Sequence, residues 1–413
     1  MIPLAQPVLG DEEVAAAREA ILSGWVTQGP KVKEFEDAFA ATIGAQHACA
    51  VSNCTAALHL SLLVIGVKPG DIVLTVSHSF IGTANSVRNC GAEPAFIDID
   101  PATFNLCPQA LSKFLNQECE LRGENLFFKN ASRLAVGESP LRFINPKKVG
   151  RIAAIMPVHQ LGMPCDIQAI LTIARQHNLP VVEDAACALG SEVLAGETWE
   201  RIGKPHADLA CFSFHPRKVV TTGDGGMITT NNQKYDATLR LLRNHGMNIS
   251  GAERKARDAV ILEEYFLTGF NYRMTDIQAS VGIAQLRRLP EFIKRRRLID
   301  QWYRKYFKSI DWLELPFEPE YARANWQTYP ARVFKNAPLS RDNLIEHLFD
   351  NDIASIPGVM NAHQAKPYCQ QNYSLPNSEN ARKEVIILPF YVDLKEDDIK
   401  YIADVMAQLG TKV

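Results

Sequence analysis

The sequence contains no CxxC pair, although it has nine cysteines in 413 residues. Zinc sites commonly use that spacing, so no metal site is predicted. The cysteines are scattered along the chain, which is typical of small reduced core residues. We therefore expect a cytoplasmic protein without a bound metal.

The sequence also lacks a long apolar run and a strong charge. Its start, "MIPLAQPVLGDEEV", shows no charged head followed by an apolar core, and stretches such as "HLSLLVIGV" are too short to span a bilayer. The net charge of -2 gives no general attraction to nucleic acid or to anionic membranes. We therefore expect small-molecule partners, with no nucleic acid and no membrane.

The chain does have short apolar strands that alternate with helices. The predicted strands are "HACAVSN", "DIVLTV", "EPAFIDI", "GRIAAIMPV", "PVVEDAA", "LACFSF" and "GGMITT". This alternation predicts an α/β fold with a mostly parallel sheet covered on both faces. We predict a large α/β domain over residues 1–289 and a smaller α+β domain over 290–413. The irregular stretch at about 112–148 is predicted to be an insertion over the sheet edge.

Two strand ends carry groups that suit an anionic ligand and a cation. In "VSNCTAALHL" a helix begins directly after a strand, so its free N–H groups can bind a phosphate and the Thr55 hydroxyl can donate. An ordinary helix cap is the alternative. In "PVVEDAACALG", Glu183 and Asp184 end an apolar strand, where α/β sheets place ligand contacts. Either a protonated cofactor ring or a structural arginine can neutralise such an acid.

A third strand end carries a lysine. In "FSFHPRKVVTTGDGG", Ser213 ends a strand and Lys218 follows it before a glycine cluster. A lysine amine forms Schiff bases with aldehydes, although a loop lysine is more often a solvated surface residue. Pyridoxal phosphate needs a phosphate site, an acid for its ring nitrogen and a lysine for its aldehyde. The three segments together therefore predict a pyridoxal phosphate site.

At these segments the chain resembles the DegT/DnrJ/EryC1/StrS family of pyridoxal phosphate-dependent sugar aminotransferases. The resemblance runs nearly end to end, through "ILSGWVTQGPKVKEFE", "SNCTAALHL", "PVHQLGMPCDI", "VVEDAACALGS", "FSFHPRKVVTTGDGGMITTN" and "GFNYRMTDIQASVGIAQLRRL". It implies a fold-type I transferase, with a seven-stranded sheet between helices and a smaller C-terminal α+β domain.

The resemblance also implies roles for single residues. Lys218 is expected to be the Schiff-base lysine and proton shuttle, and Asp184 to pair with the pyridine nitrogen. The cofactor phosphate is expected to be held by Ser213, Thr55 and the backbone of Cys54.

The remaining implied contacts concern the ring face, the substrates and a second subunit. Phe80 is expected to stack on the cofactor ring, and Arg273 to lie near the carboxylate of the amino donor. Asn271 is expected to reach the phosphate bound by the neighbouring subunit, which implies a homodimer with shared active sites. The sugar pocket is expected to be lined by Trp25, His159 and His363.

The sequence departs from the family pattern in three places. Cys54 stands where many members have glycine, and the insertion at 112–148 is longer than usual. Cys187 stands where a glutamine commonly contacts the 3′-oxygen of the cofactor. A thiol is a weak donor, so this contact is expected to be weaker here.

The resemblance implies a ping-pong transfer of an amino group from an amino acid to a nucleotide-linked keto-sugar, and L-glutamate is the expected donor. A free keto-cyclitol or keto-sugar acid is an alternative acceptor. A non-catalytic protein that binds the cofactor or a sugar for regulation is a lower-ranked alternative.

Overall fold

The computed structural model describes residues 1–248 and 263–410. The helices in these ranges are α1 (Asp11–Leu22), α2 (Pro30–Ile43), α3 (Cys54–Val64), α4 (Ile81–Asn89), α5 (Pro108–Glu118), α6 (Ile167–Gln176), α7 (Gln233–Leu242), α8 (Asp276–Tyr306), α9 (Arg341–Asp350), α10 (Pro376–Glu384) and α11 (Glu396–Gly410). The strands are β1 (His47–Val51), β2 (Ile72–Val76), β3 (Glu93–Ile97), β4 (Cys119–Arg122), β5 (Asn125–Phe128), β6 (Ile152–Met156), β7 (Val182–Asp184), β8 (Glu192–Ala195), β9 (Thr198–Arg201), β10 (Leu209–Ser213), β11 (Gly226–Thr230), β12 (Leu313–Glu314), β13 (Ala322–Arg323), β14 (Tyr329–Val333), β15 (Ile356–Pro357) and β16 (Val385–Leu388).

Seven strands form the main sheet in the order β3-β2-β6-β7-β10-β11-β1. Strand β2 pairs in parallel with β3 on one side and with β6 on the other, and β7 pairs in parallel with β10. Isolated parallel bridges join these two groups, and they connect β6 and the segment after it with the segment of β7. Strand β11 runs antiparallel to both β10 and β1. Strands β2, β3 and β6 are buried along their whole length and are mostly apolar, and the polar exceptions are Thr75 in β2 and Glu93 in β3. The prediction of a mostly parallel, seven-stranded α/β sheet is confirmed.

This topology brings several chain segments to one edge of the sheet. Because β1, β7 and β10 run in the same direction, their carboxyl ends lie at the same edge. Strand β11 begins there, and Gly226 pairs with both Val51 and Ser213. The segments predicted to bind the cofactor therefore meet at this edge.

The free side of edge strand β1 is closed by charged side chains of α2 and of the end of α7. Glu36 accepts a hydrogen bond from the backbone of Ala50 at 2.9 Å, and Arg243 donates to the carbonyl of the same residue at 2.7 Å. Arg240 donates to the carbonyl of Ala48 at 2.9 Å and to Glu36 at 2.7 Å. Edge strands need such protection because their unpaired backbone groups can pair with other chains.

A second, antiparallel sheet lies in the C-terminal part, in the order β12-β14-β16-β15. It has an apolar core of its own, to which α8 contributes Ile299 and Tyr303, whereas Leu289 and Phe292 of the same helix pack in the first core. Residue 290 thus lies inside a continuous helix, and the division of the chain into domains at this point remains a proposal.

The predicted insertion at 112–148 contains more regular structure than expected. Its first residues continue α5, and β4 and β5 then form an antiparallel hairpin. Short 3-10 turns follow at Ala131–Leu134, Pro140–Phe143 and Pro146–Lys148. Gln371 donates to the carbonyl of Leu134 at 3.2 Å, so the insertion packs on the C-terminal part of the chain.

Within the described ranges, no helix combines the length and the apolar character that a membrane crossing requires.

Candidate active site

Asp184 lies at the end of β7, almost fully buried at 3% exposure. Its Oδ2 accepts a hydrogen bond from Thr83 Oγ1 at 2.7 Å, and its Oδ1 accepts one from the backbone N–H of Ala186 at 3.2 Å. The Ser79 hydroxyl lies 2.9 Å from that of Thr83. In the described part of the chain, Asp184 forms no ion pair with a lysine, arginine or histidine. Burial raises the pKa of Asp184, so the site favours an added positive charge.

Lys218 lies in a tight loop between β10 and β11. The carbonyl of Phe214 accepts from the backbone of Thr222 at 3.0 Å and from the hydroxyl of Thr221 at 2.8 Å. Lys218 itself donates its backbone N–H to the carbonyl of His215 at 2.8 Å. These bonds fold the loop back on the strand end, which leaves the Lys218 side chain half-buried at the sheet edge.

The side chain of Lys218 contacts Cys187, with Nζ 3.0 Å from Sγ. Burial alone lowers the pKa of Lys218, but the charge and hydrogen bond of Cys187, with smaller effects of Cys54 and Asp184, raise it overall. Cys187, the predicted partner of the cofactor's 3′-oxygen, thus contacts Lys218, the predicted Schiff-base lysine.

The start of α3 offers an anion site. The side chain of Asn53 caps the helix by accepting from Ala56 N–H at 2.9 Å. The N–H groups of Cys54 and Thr55 have no acceptor among residues 1–248 and 263–410. Burial raises the pKa of the Cys54 thiol, so its sulfur is uncharged and its backbone N–H is the group available to an anion.

Two glycines allow the segments around this helix start to approach one another. A Cβ at Gly226 would lie 2.6 Å from the carbonyl of Asn53, so β11 can pass the start of α3 only with glycine there. A Cβ at Gly82 would lie 3.0 Å from the Phe80 ring and 3.1 Å from Thr55 Oγ1. Phe80 and Thr55 are therefore neighbours, and the Phe80 ring, 70% exposed, is free to cover a ligand.

Together these groups fit pyridoxal phosphate. Asp184 suits its protonated ring nitrogen, the free N–H groups of Cys54 and Thr55 suit its phosphate, and Lys218 suits its aldehyde. The described ranges contain no group of three or more His, Cys, Asp or Glu side chains arranged to hold a metal.

Comparison with known proteins agrees with this fit. Residues 7–407 match the DegT/DnrJ/EryC1/StrS aminotransferase family. The chain belongs to this family. It is a pyridoxal phosphate-dependent aminotransferase of fold-type I, as predicted.

Three relatives of this aminotransferase illustrate the similarity. The spore coat polysaccharide biosynthesis protein SpsC of Bacillus subtilis is 33% identical over 414 residues, which cover 99% of this chain and 97% of SpsC. The aminotransferase TlmJ of Streptoalloteichus hindustanus is 31% identical, with a TM-score of 0.80 and 99% of both chains covered. Helicobacter pylori PseC, an aminotransferase involved in the biosynthesis of pseudoaminic acid, is 23% identical with a TM-score of 0.81 over 99% and 98% of the chains, which shows the shared fold.

The aminotransferase holds the segment with Asn271 and Arg273 beside the start of α3. The backbone N–H of Ser52 donates to the carbonyl of Tyr272 at 2.8 Å. Arg273 donates to the side chain of Asn244 at 2.7 Å, and Asn271 is exposed. Both predicted contacts, to the donor carboxylate and to the phosphate of the neighbouring subunit, remain proposals.

His159 is fully buried and both of its ring nitrogens are engaged. Its Nδ1 accepts from the backbone N–H of Cys165 at 3.1 Å, so its Nε2 carries the hydrogen and donates to Glu183 at 2.8 Å. The predicted contact of His159 with the sugar gains no support from this arrangement.

His363 and Trp25 occupy different places. His363 Nδ1 lies 2.6 Å from Ser77 Oγ, three residues before Phe80, and its Nε2 lies 3.5 Å from Glu379. Trp25 lines a cavity of about 1020 Å³ between α2 and α7, and neither Lys218 nor Asp184 lines that cavity.

Sequence reasoning missed the residues that hold the site in place. Thr83 donates to Asp184 across 101 positions of sequence, and Asn325 donates to the carbonyl of Cys187 at 2.8 Å across 138. Gln327 donates to the carbonyl of Arg217 at 2.6 Å. No local pattern in the sequence marks these contacts, because each joins separate elements of the fold.

Proposed function

We propose that the aminotransferase moves an amino group from L-glutamate to a nucleotide-linked keto-sugar by a ping-pong mechanism. The observation that supports the site most strongly is Asp184, a buried carboxylate that forms no ion pair among the described residues and whose pKa is raised by burial even though the charge of Lys218 acts in the opposite direction. It lies at the same sheet edge as Lys218 and the free N–H groups of α3.

Lys218 is proposed as the Schiff-base lysine and proton shuttle. Its Nζ would hold the aldehyde carbon of the cofactor and, once freed, would be the base that accepts the proton of the donor α-carbon. Bound pyridoxal phosphate supplies an electron-accepting ring, which stabilises the charge left on that carbon. Asp184 keeps the ring nitrogen protonated because a buried carboxylate favours a nearby positive charge.

The other contacts orient the ligands. Thr55, Ser213 and the backbone of Cys54 are proposed to hold the phosphate, and Phe80 to cover the ring. Arg273 is proposed to bind the carboxylate of the donor, since its guanidinium matches a carboxylate in geometry and charge.

The acceptor is proposed to be a sugar because SpsC, 33% identical over nearly the whole chain, is named for polysaccharide biosynthesis. Trp25 and His363 are proposed to face it. We also propose a cytoplasmic homodimer in which Asn271 reaches the phosphate bound by the neighbouring subunit. The mass of the assembly in solution tests the homodimer, and the fractionation of cells tests the cytoplasmic location.

The experiment separates the donor and acceptor reactions. Protein loaded with pyridoxal phosphate should show the visible absorption band of the lysine-bound cofactor and should lose that band when L-glutamate is added. A panel of nucleotide-linked and free keto-sugars should then restore the band, with the nucleotide-linked compounds acting faster.

Lys218→Ala should abolish both the band and turnover, whereas Lys234→Ala, at an exposed lysine of α7, should keep both. Full turnover by Lys218→Ala would refute the role of Lys218. Restoration of the band by free keto-sugars alone would refute the nucleotide-linked acceptor.

A further inference from the structure

Cys187 contacts the reacting nitrogen of the site, since its Sγ lies 3.0 Å from Lys218 Nζ. We propose that Cys187 is a positioning residue that holds the amine of Lys218 and sets the pH at which this amine captures the cofactor. The inference rests on the proposed role of Lys218 as the Schiff-base lysine, and it assigns Cys187 a partner other than the 3′-oxygen of the cofactor.

The contact between Cys187 and Lys218 differs from those of the other cysteines. Among the nine, all of which lie in the described ranges, Cys187 is the one whose sulfur accepts from a lysine amine. The other thiol contacts run to carbonyl, amide or hydroxyl oxygens, at Cys90, Cys107, Cys211 and Cys369. At Cys187 the sulfur is instead the acceptor, and the donor is the amine of Lys218.

The backbone on both sides of the pair is held by one segment of the C-terminal part. Asn325 donates to the carbonyls of Cys187 and Leu189 at 2.8 and 2.9 Å. Gln327 donates to the carbonyl of Arg217, next to Lys218, at 2.6 Å. The backbones that carry Cys187 and Lys218 are therefore both held by this segment, which brings the two side chains within reach of each other.

Four charged or titratable groups act on the Lys218 amine or are acted on by it. Burial lowers the pKa of Lys218, and Cys187, Cys54 and Asp184 raise it, with Cys187 the strongest of the three. His215, exposed on the same loop, has a pKa that is lowered by its partial burial and by the charge of Lys218. Burial lowers the pKa of Lys218, and without Cys187 this effect is opposed less strongly. The amine should therefore lose its proton at lower pH.

The protonation of the amine controls the capture step. Only the neutral amine has a lone pair that can attack the aldehyde carbon. The carbonyl oxygen then leaves as water with the two hydrogens of the amine, and a carbon–nitrogen double bond replaces the carbon–oxygen double bond. The capture rate should therefore rise with pH until Lys218 is fully deprotonated, and the midpoint of this rise reports the protonation of Lys218.

The test measures the rate at which the whole chain, freed of cofactor by hydroxylamine and dialysis, develops the visible band after pyridoxal phosphate is added. In Cys187→Ala the midpoint of the rate against pH should fall. Relative to the plateau of the same protein, a fall of about one unit makes capture about tenfold faster at pH values below both midpoints. The plateau at high pH should be lower than in the wild type, because the amine is no longer held in place.

Cys187→Ser is nearly isosteric and should show a lowered midpoint as well, because it removes the sulfur whose contact raises the pKa of Lys218. Cys369→Ala removes an exposed thiol that contacts a carbonyl, and its profile should coincide with that of the wild type. If circular dichroism shows that Cys187→Ala is unfolded, the serine variant decides the question.

Unchanged midpoints in the folded Cys187 variants would overturn the inference. The proposed function would stand in that case, because Lys218→Ala tests it separately. If Lys218→Ala still developed the band, both the proposed role of Lys218 and this inference would fall together.

Discussion

Asp184 depends on Thr83 for its only side-chain hydrogen bond in the described structure. Burial raises the pKa of Asp184, and the Thr83 hydroxyl acts in the opposite direction. In Thr83→Val the pKa of Asp184 should rise further, so the acid side of the activity profile should move to higher pH. Hydrogen bonds to charged groups contribute about 1.5–3 kcal/mol, so kcat/KM for L-glutamate should fall about tenfold to a hundredfold.

Thr83→Ser is the matched control for this change, because it keeps the hydroxyl and should keep the wild-type profile. The measurement is kcat/KM against pH, together with the dissociation constant of pyridoxal phosphate. An unchanged acid limb in Thr83→Val would show that the hydroxyl does not influence the charge of Asp184.

The sequence was sufficient to place Asp184, Lys218 and Thr55 at one edge of the sheet, because each follows a recognisable strand and the carboxyl ends of parallel strands meet at one edge. It was not sufficient to predict the contact of Thr83 with Asp184 or that of Cys187 with Lys218. Such contacts depend on helix rotation and loop geometry, which local patterns do not determine.

At the scale of elements, the strands of the main sheet were predictable because they are short, mostly apolar runs, as in β2 and β6. The hairpin β4–β5 was missed because its first strand is mostly exposed and charged, so it has no apolar signal. The closure of β1 by side chains was also missed. In the sequence nothing distinguishes its residues from other charged residues of helices and turns, and they are Glu36, Arg240 and Arg243.

Because Glu36 helps to close the free side of β1, its replacement should strongly lower the free energy of unfolding. Burial by itself raises the pKa of Glu36, but the charges of Arg243 and Arg240 lower it overall. Removal of one partner from a buried ion pair costs about 3–5 kcal/mol, so Glu36→Gln should lower the free energy of unfolding by that amount at neutral pH. Denaturant titration at a fixed protein concentration measures it.

Asp37→Asn is the matched control on the same helix. Asp37 pairs with Lys33 and both are exposed, so its loss should change the free energy of unfolding by less than about 0.5 kcal/mol. A carboxylate with a lowered pKa stabilises the fold above its unfolded-state pKa, and this contribution is lost as the pH falls through the folded-state pKa. The gap between wild type and Glu36→Gln should therefore close on acidification, and a gap independent of pH would contradict this account.

At the scale of the whole molecule, the cofactor site belongs to the main sheet but is held by the C-terminal part. Strand β13 pairs with β8 just after the segment of Cys187, and the backbone N–H of Leu194 donates to the carbonyl of Tyr321 at 2.8 Å. The residues that follow, Asn325 and Gln327, hold the backbone beside Cys187 and Lys218. Placement of the C-terminal part and binding of the cofactor should therefore be coupled.

Arg296 of α8 is the residue through which this coupling can be tested. It is 5% exposed and donates to the carbonyls of Asn325 at 2.9 Å, of Gln327 at 2.8 Å and of Trp326. Arg296→Leu leaves three buried carbonyls without this donor, at about 1–3 kcal/mol each, and recovers part of that cost because a buried charge is removed. We expect a net loss of about 3 kcal/mol in the free energy of unfolding.

The coupling predicts a second effect, on the increase in Tm that pyridoxal phosphate produces. A ligand stabilises the fold in proportion to the logarithm of its concentration over its Kd, so a displaced Asn325–Gln327 segment should reduce this increase in Arg296→Leu. Arg295→Leu, one position away, loses the hydrogen bonds to the carbonyls of Val392 and Leu394 and the contact of the guanidinium with the Trp302 ring. It should lower Tm but keep the full increase on addition of cofactor. Equal increases in the two variants would show that the segment does not connect the C-terminal part to the site.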